Sequence, residues 1–277
     1  MTVNELTAVM NGVAIGTVAR ERNGRLRFEY ADAWRRQPDA IPLSLSMPLL
    51  RAAHPHAAID AFLWGLLPDN EQTLTRWASR FHVSARNAFG LLAQIGEDCA
   101  GAVQFVPPDR LQVLQSMTAD DIAWLEEAEI GERLRILRQD PSATRRATDH
   151  GQFSLAGAQP KTALLWCDGR WGVPAGRTPT THILKPPTAA FDGHAENEHF
   201  CLALARRLGL PTAQSKLHRF DGELAILVTR FDRIEQQGRL LRVHQEDLCQ
   251  ALAVPPTRKY QGDGGPGPLA VIEALRT

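Results

Sequence analysis

An Asn-Gly or Asp-Gly pair between two apolar runs leaves the backbone few options, because these residues accept φ > 0 and close two-residue hairpins. This sequence has four such pairs in that setting: Asn11-Gly12, Asn23-Gly24, Asp168-Gly169 and Asp221-Gly222. The first two predict a β-meander over residues 7 to 30, through VAIGTV and RLRFEY. IPLSLSMPLL follows, alternating through Leu43, Leu45 and Met47 between Pro42 and Pro48, as an edge strand or extended segment. Helical spacing takes over at Ile59. Phe62, Leu63, Leu66 and Leu67 form one stripe, stopped by Pro68, and Leu74, Trp77, Ala78 and Phe81 a second. Ser84 is placed to cap a third helix carrying Phe89, Leu91, Leu92 and Ile95. IGEDCAGAVQFV then returns to strand, and Pro107-Pro108 mark a boundary.

The next stretch is more polar. Thr118 and Asp121 resemble a capping box ahead of a helical IAWLEEAEI, with GERLRILRQD as a second short helix. DPSATRRATDHGQ is turn-rich and reads as an exposed connector. A solvated face accounts for the basic pairs Arg145-Arg146 and Arg206-Arg207. The expected organisation is a mixed β/helical subdomain over 1–110, a helical connector over 111–150 and a further α+β unit over 151–277. A chain of 277 residues has room for one large domain or two modest ones.

Lysine plus arginine and aspartate plus glutamate are 31 each, so the formal net charge is zero and a dedicated DNA or membrane-surface binder is disfavoured. No run of 18 apolar residues exists, and MTVNELTAVM lacks the features of a signal peptide. Cys99, Cys167, Cys201 and Cys249 lie tens of residues apart in apolar runs, as reduced core thiols of a cytoplasmic protein would. His54 and His56 form an H-x-H with no third ligand nearby, so no metal site is expected there. There is no G-x-S-x-G and no H-E-x-x-H.

The chemistry-bearing residues begin at FSLAGAQPKTALLWCDGRWGVP, read as strand, loop, strand, turn, strand. The loop holds Ser154, Gly157 and Lys161, with Ala156 and Ala158 flanking the glycine. Small residues let backbone N–H groups approach a phosphate. It is not a Walker A loop, since Pro160 breaks the G-K-[ST] junction, and on spacing alone a plain hairpin turn is the favoured reading. THILKPP then sets Lys185 at the end of an apolar strand, where an ammonium needs an anionic partner. A helix follows, AENEHFCLALARRLGLP, with Glu196 and Glu198 in its first turn and Gly209 and Pro211 beyond its end. The helix dipole alone accounts for both glutamates, and Glu198 is the inferred partner of Lys185. SKLHRF and ELAILVTRFDR form a hairpin around Asp221-Gly222. Loop, strand lysine, helix with glutamate, hairpin is the order of a kinase-type N-terminal lobe.

The segments FSLAGAQPKTALL, TPTTHILKPP, ENEHFCLALARRLGL, VTRFDR, HQEDLCQALAVPPTRKY and DGGPG resemble the HipA family of kinase toxins from HipBA toxin–antitoxin modules. LSLSMPLL, FLWGLLPDNE and IGEDCAGAVQFVP resemble it too, in family order from about residue 40 to 268. The resemblance implies an α+β fold with a HipA-like N-terminal subdomain, a protein-kinase-like N-lobe and a C-terminal helical lobe. It implies a serine/threonine-protein kinase using ATP and Mg²⁺ on aminoacyl-tRNA synthetases, in the context of persistence. It also implies a HipB-like helix-turn-helix antitoxin as partner, with operator DNA reached through that antitoxin and no membrane.

Carried over by motif, Ser154 is the autophosphorylated loop serine, whose phosphate would add roughly −2 charge and could eject the loop. Ala156, Gly157, Ala158, Gln159 and Lys161 cover the phosphates and Lys185 contacts them. Thr229 to Phe231 is the hinge that holds adenine through its backbone, although the family often has glutamate at the position of Thr229. Gln245 is a nucleotide-side residue.

The catalytic and metal-binding aspartates of the family lie after the DGGPG segment, here residues 263–267, and the remaining ten residues contain neither. The C-terminal lobe is therefore expected to be truncated and the chain to bind nucleotide weakly without catalysing. Asp192, in FDGHAEN, has the Asp-to-Asn spacing of a catalytic loop, but it lies seven residues after Lys185 and is read as a decoy. The alternative is a non-catalytic binding module that holds an antitoxin or a separate catalytic-lobe chain, including one encoded by a split gene.

Overall fold

The computed structural model describes residues 3–116, 122–146, 149, 153–188 and 193–276. The meander is present as β1 (Glu5–Met10), β2 (Val13–Arg20) and β3 (Leu26–Tyr30), all antiparallel. Asn11 and Gly12 both take positive φ, as their hairpin requires. Asn23-Gly24 behaves differently. Only Gly24 is left-handed, and Glu21 N–H bonds Arg25 O, so β2 and β3 are joined by a wider turn than the two-residue hairpin expected.

The chain continues through α1 (Asp32–Arg35), β4 (Ala53–His54), α2 (His56–Gly65), α3 (Glu71–Phe81), α4 (Ala88–Ile95) and β5 (Val103–Val106). The sheet order is β4-β3-β2-β1-β5. Leu6, Ile15, Val18 and Phe28 of the sheet pack against Ile59, Phe62 and Leu63 of α2 and Phe89 and Leu92 of α4. The cap of α4 is Asn87, whose side chain accepts from Gly90 N–H, rather than Ser84. The 41–50 segment is a folded turn and not an edge strand. Tyr30 Oη donates to Met47 O at 2.6 Å and accepts from Leu43 N–H at 2.7 Å, so Leu43 and Met47 are buried while Leu45 faces solvent.

Pro108 opens a helix, α5 (Pro108–Ser116), as its fixed φ allows in a first turn. β6 (Ile122–Leu125) and α6 (Glu127–Gln139) follow. IAWL is thus strand, not helix: its β-branched and aromatic residues pair with RWGVP, while GERLRILRQ continues the single helix begun at Glu127. Thr118 and Asp121 lie outside the described residues. The rest comprises β7 (Thr162–Cys167), β8 (Arg170–Pro174), β9 (His182–Lys185), α7 (His194–Arg207), β10 (Ser215–Phe220), β11 (Glu223–Thr229), β12 (Arg233–Gln236), β13 (Arg239–Arg242), α8 (Leu248–Ala251) and α9 (Pro268–Ala274).

The second sheet is antiparallel in the order β10-β11-β9-β7-β8-β6. On one face Ile130 and Leu134 of α6 pack on Leu164, Val173, Leu184 and Leu227. On the other, Phe153, Leu155 and Ala163 meet Ile183. The described residues within 111–150 are therefore not simply a helical connector, because Ile122–Leu125 supply an edge strand and Glu127–Gln139 the covering helix of this core. Nor is the 140–149 stretch simply exposed. Arg145 is buried over the Phe153 ring, and Asp149 takes a bidentate bond from Arg133, both side chains buried. Among the described residues no helix is long and apolar enough to cross a membrane.

Candidate functional site

Strand period places the site. Leu184 points toward α6, so Ile183 and Lys185 point to the opposite face, where the 153–161 loop lies. α7 packs on β10 and β11 and brings Glu198 to Lys185 Nζ at 2.6 Å. The ammonium and carboxylate are 18% and 26% exposed, so the pair is sheltered but reachable. The loop closes around its own lysine. Lys161 Nζ donates to Ala156 O at 3.0 Å, and a Cβ at Gly157, whose φ is +104°, would stand 3.0 Å from Nζ. Burial, helped by the nearby Lys185 charge, pulls the Lys161 pKa down to about 8. Gln159 Nε2 lies 3.0 Å from His194 Nδ1, tying the loop to the start of α7. Among the described residues the amides of Gly157 and Ala158 have no hydrogen-bond partner. The Lys161 ammonium and the unpartnered amides of the loop, facing the Lys185 ammonium of β9, make a site suited to an anion.

The remaining expected residues fall into three places. Ser154 is fully buried, with Oγ donating to Leu66 O at 2.6 Å and N–H to Asp98 O at 2.9 Å. Its hydroxyl faces inward, away from any solvent-borne phosphoryl donor. Thr229 pairs with His182, at the far end of β9 from Lys185, about 10 Å away at 3.4 Å per residue. Its side chain lies on the α6 face, beside a groove of about 540 Å³ that includes Trp166, Trp171 and His218, and its N–H is bound to Gln214 O. Phe231 is 73% exposed, with buried Arg230 and Asp232 on either side. Gln245 has its backbone against Gly101, where a Cβ would lie 2.8 Å from it. Asp192 lies outside the described residues.

One feature has no counterpart among the expected residues. Asp98, in IGEDCAG, sits fully buried with Arg233 Nη2 at 2.8 Å, Arg242 Nε at 3.3 Å and Thr180 Oγ1 at 2.7 Å. Arg230 and Arg233 also bond Asp232. Burial alone would raise the Asp98 carboxyl, but the three guanidiniums hold it well below the usual carboxylate range. Its partners are 82 to 144 residues away. The only local signal was a carboxylate in a run of small and apolar residues, answered by three separate arginines. His54 and His56 are structural. His54 Nε2 contacts Arg51 O, and His56 Nδ1 accepts from Leu26 N–H.

Residues 6–106 match the family described as HipA N-terminal domain, and residues 153–277 match that described as HipA-like C-terminal domain. Y4mE of Sinorhizobium fredii is 38% identical over 279 residues, covering 100% of this chain and 66% of Y4mE. The serine/threonine-protein kinase toxin HipA of Shewanella oneidensis is 31% identical over 242 residues, 86% of this chain and 52% of that protein. A chain in the solved complex of Shewanella oneidensis HipA, HipB and operator DNA superimposes with a TM-score of 0.75 at 28% identity, covering 96% of this chain and 60% of that one. The chain spans between about half and two thirds of the length of these relatives.

Proposed function

The chain belongs to the HipA family, and from that premise we propose that it is the nucleotide-holding part of a HipA-type serine/threonine kinase toxin of a type II toxin–antitoxin module. The observation that carries the reading is the Lys185–Glu198 ion pair beside a small-residue loop closed by Lys161. In protein kinases a strand lysine paired with a helix glutamate holds the nucleotide phosphates. In this reading the second sheet with α7 is a kinase-like N-lobe. Gly157 and Ala158 donate their amides to the triphosphate, with Ala156 and Gln159 completing the loop, and Lys161 and Lys185 supply charge. Adenine lies toward Thr229–Phe231, where the Thr229 N–H is already used, so the base is left to carbonyls and to the Phe231 segment. Gln245 borders the same side.

When bound, Mg²⁺ neutralises developing charge on the phosphates. Among the described residues no group of three or more His, Cys, Asp or Glu gathers to hold a metal, and the groups beside the loop that this reading uses, two ammoniums and backbone amides, suit the triphosphate. The resemblance sets the catalytic and metal-binding aspartates after DGGPG, and phosphoryl transfer is not part of what these 277 residues are proposed to do alone. Autophosphorylation at Ser154 requires the loop to leave Leu66 and Asp98 first. By analogy with the Shewanella oneidensis complex, the partner is a HipB-like antitoxin, with operator DNA engaged through it. The substrate class is an aminoacyl-tRNA synthetase and the setting the cytoplasm.

A second reading, a binding module that holds a further protein chain, is favoured by one observation. Phe200, Leu204 and Leu208 form an exposed apolar stripe along α7, with Phe200 64% exposed.

Calorimetric titration with ATP tests the first reading. We expect binding by the wild-type chain and at least a tenfold loss in Lys185→Met with the circular dichroism spectrum unchanged. No ATP binding by the wild type, or equal binding by the variant, would remove the nucleotide assignment.

A further inference from the structure

Residues 96–101 leave α4 within the front subdomain, yet polar groups of Asp98, Cys99 and Gly101 serve the other unit. The Asp98 carbonyl accepts from Ser154 N–H, at the start of the loop. The Asp98 carboxylate accepts from Arg233, Arg242 and both the N–H and Oγ1 of Thr180. The Cys99 carbonyl accepts from Arg230 at 2.8 Å and Arg233 at 3.2 Å. Gly101 donates its N–H to Asp232 at 2.8 Å and accepts from Arg233 at 2.9 Å. One short turn therefore grips two segments nearly 80 residues apart: the loop at Ser154, and the strap Arg230–Arg233 that follows β11. Leu66, also in the front subdomain, takes the Ser154 hydroxyl.

From this geometry we infer that Asp98 is a positioning residue through which the front subdomain sets the loop and the strap against each other, so that the two loosen together. Arg230, Asp232 and Arg233 are all buried in its network, while Phe231 between them projects to solvent. The strap is thus seated from two sides, by the 98–101 turn and by Thr180 and Thr181 of its own unit, whose carbonyls accept from Arg233 Nε and Arg230 N–H. A buried, hydrogen-bonded charge cluster does not deform gradually, because each guanidinium that leaves a carboxylate strands its partner without water. Movement of Arg233 is therefore transmitted to Asp98, whose carbonyl holds Ser154. Thr180 lies at the junction, donating Oγ1 to Asp98 and accepting from Arg230 Nη1 at 3.0 Å. The names of what loop and strap hold rest on the nucleotide reading; the mechanical coupling rests on these bonds alone.

Amide hydrogen exchange on the full chain tests it. Thr180→Val removes the shared hydroxyl while keeping a β-branched side chain, and is the primary variant in case Asp98→Asn does not fold. We expect exchange at Ser154 and across residues 229–233 to rise together by about tenfold, with β1–β3 unchanged. Gly131→Ala, a destabilising change remote from the network, serves as the control and should leave both segments as in the wild type. The inference fails if only one segment responds, if neither does, or if Gly131→Ala produces the same rise. In parallel, ATP affinity should fall at least about fivefold in Thr180→Val, in keeping with loss of a hydrogen bond that places the site. If the wild-type chain binds no ATP, the nucleotide reading fails while the exchange result still decides the coupling.

Discussion

Lys161 keeps its ammonium inside the loop it closes, where burial and the neighbouring Lys185 bring its pKa to about 8 against an ordinary 10.5. The folded chain thus binds the proton less tightly than the unfolded one. Stability rises as pH climbs from about 8 toward 10.5, and the charged form at pH 7 costs about 3 kcal/mol. A phosphate arriving beside Nζ reverses this and raises the pKa. Nucleotide binding at pH 8.5 should therefore take up as much as about three quarters of a proton. Calorimetry in two buffers of different ionisation enthalpy reads this directly. No uptake by the wild type, or equal uptake by Lys161→Met, would place Lys161 away from the phosphates. Lys185 and Glu198 could be paired from sequence because a strand end and the N-terminal part of the next helix, thirteen residues apart, leave little freedom in where they meet, although Glu198 lies in the second turn of α7 and only Glu196 in the first. The inward hydroxyl of Ser154 could not, because its acceptor, Leu66 O, is 88 residues away and is a backbone atom that no side-chain pattern marks.

Helix α6 is legible in part and instructive where it is not. Its apolar residues Ile130, Leu134 and Leu137 fall at helical spacing and are buried, but Gly131 suggests a break between two short helices. The structure shows why glycine stands there. A Cβ would meet Phe220 O at 2.6 Å and Asp221 Cβ at 2.9 Å, so the helix and the β10–β11 turn approach at a distance that admits no side chain. Alanine gains about 1 kcal/mol of helix propensity. Forcing the turn away costs about 1–3 kcal/mol, so Gly131→Ala should be net destabilising by about 1 kcal/mol. A urea midpoint that rises instead would mean the contact yields freely. The hairpins at Asn11, Asp168 and Asp221 follow from their dipeptides, since all three residues and their glycines take positive φ. Asn23-Gly24 departs because the turn takes up residues 21–25, with Asn23 Oδ1 accepting from Arg25 N–H. IAWL departs because its partner, RWGVP, lies 46 to 52 residues downstream, and pairing overrides local helical spacing.

Two apolar cores, one under the front sheet and one between α6 and the second sheet, are joined through polar groups. Besides the Asp98 cluster, Asn11 exchanges hydrogen bonds with Arg242, and Ser44 and Ser46 donate to Gln250 O. Gln250 in turn donates to Phe62 O. This long-range polar closure is what hydropathy and spacing do not carry, since arginines in TRFDR and RLLR look like surface residues until Asp98 is set among them. Removing one partner from such a buried cluster typically costs about 3–5 kcal/mol, so the junction is stable while both charges persist. Its weakness is acid. Asp98 and Asp232 are held below their ordinary value of 3.8 by the surrounding arginines, which outweigh the opposing effect of burial. Their contribution is therefore complete above about pH 4 and is lost as pH falls through their lower folded values. The front core has an acid liability of its own in buried His54, whose pKa burial lowers, but that is one imidazole against a junction of two carboxylates and three guanidiniums. Acidification below pH 4 should accordingly part the two units before the meander melts. The expected signs are a growing radius of gyration and protease cuts near residues 96–101 and 230–242, at a pH where far-ultraviolet circular dichroism is still native. If size, cleavage and circular dichroism instead change together in one transition, the junction is no weaker in acid than the cores it joins.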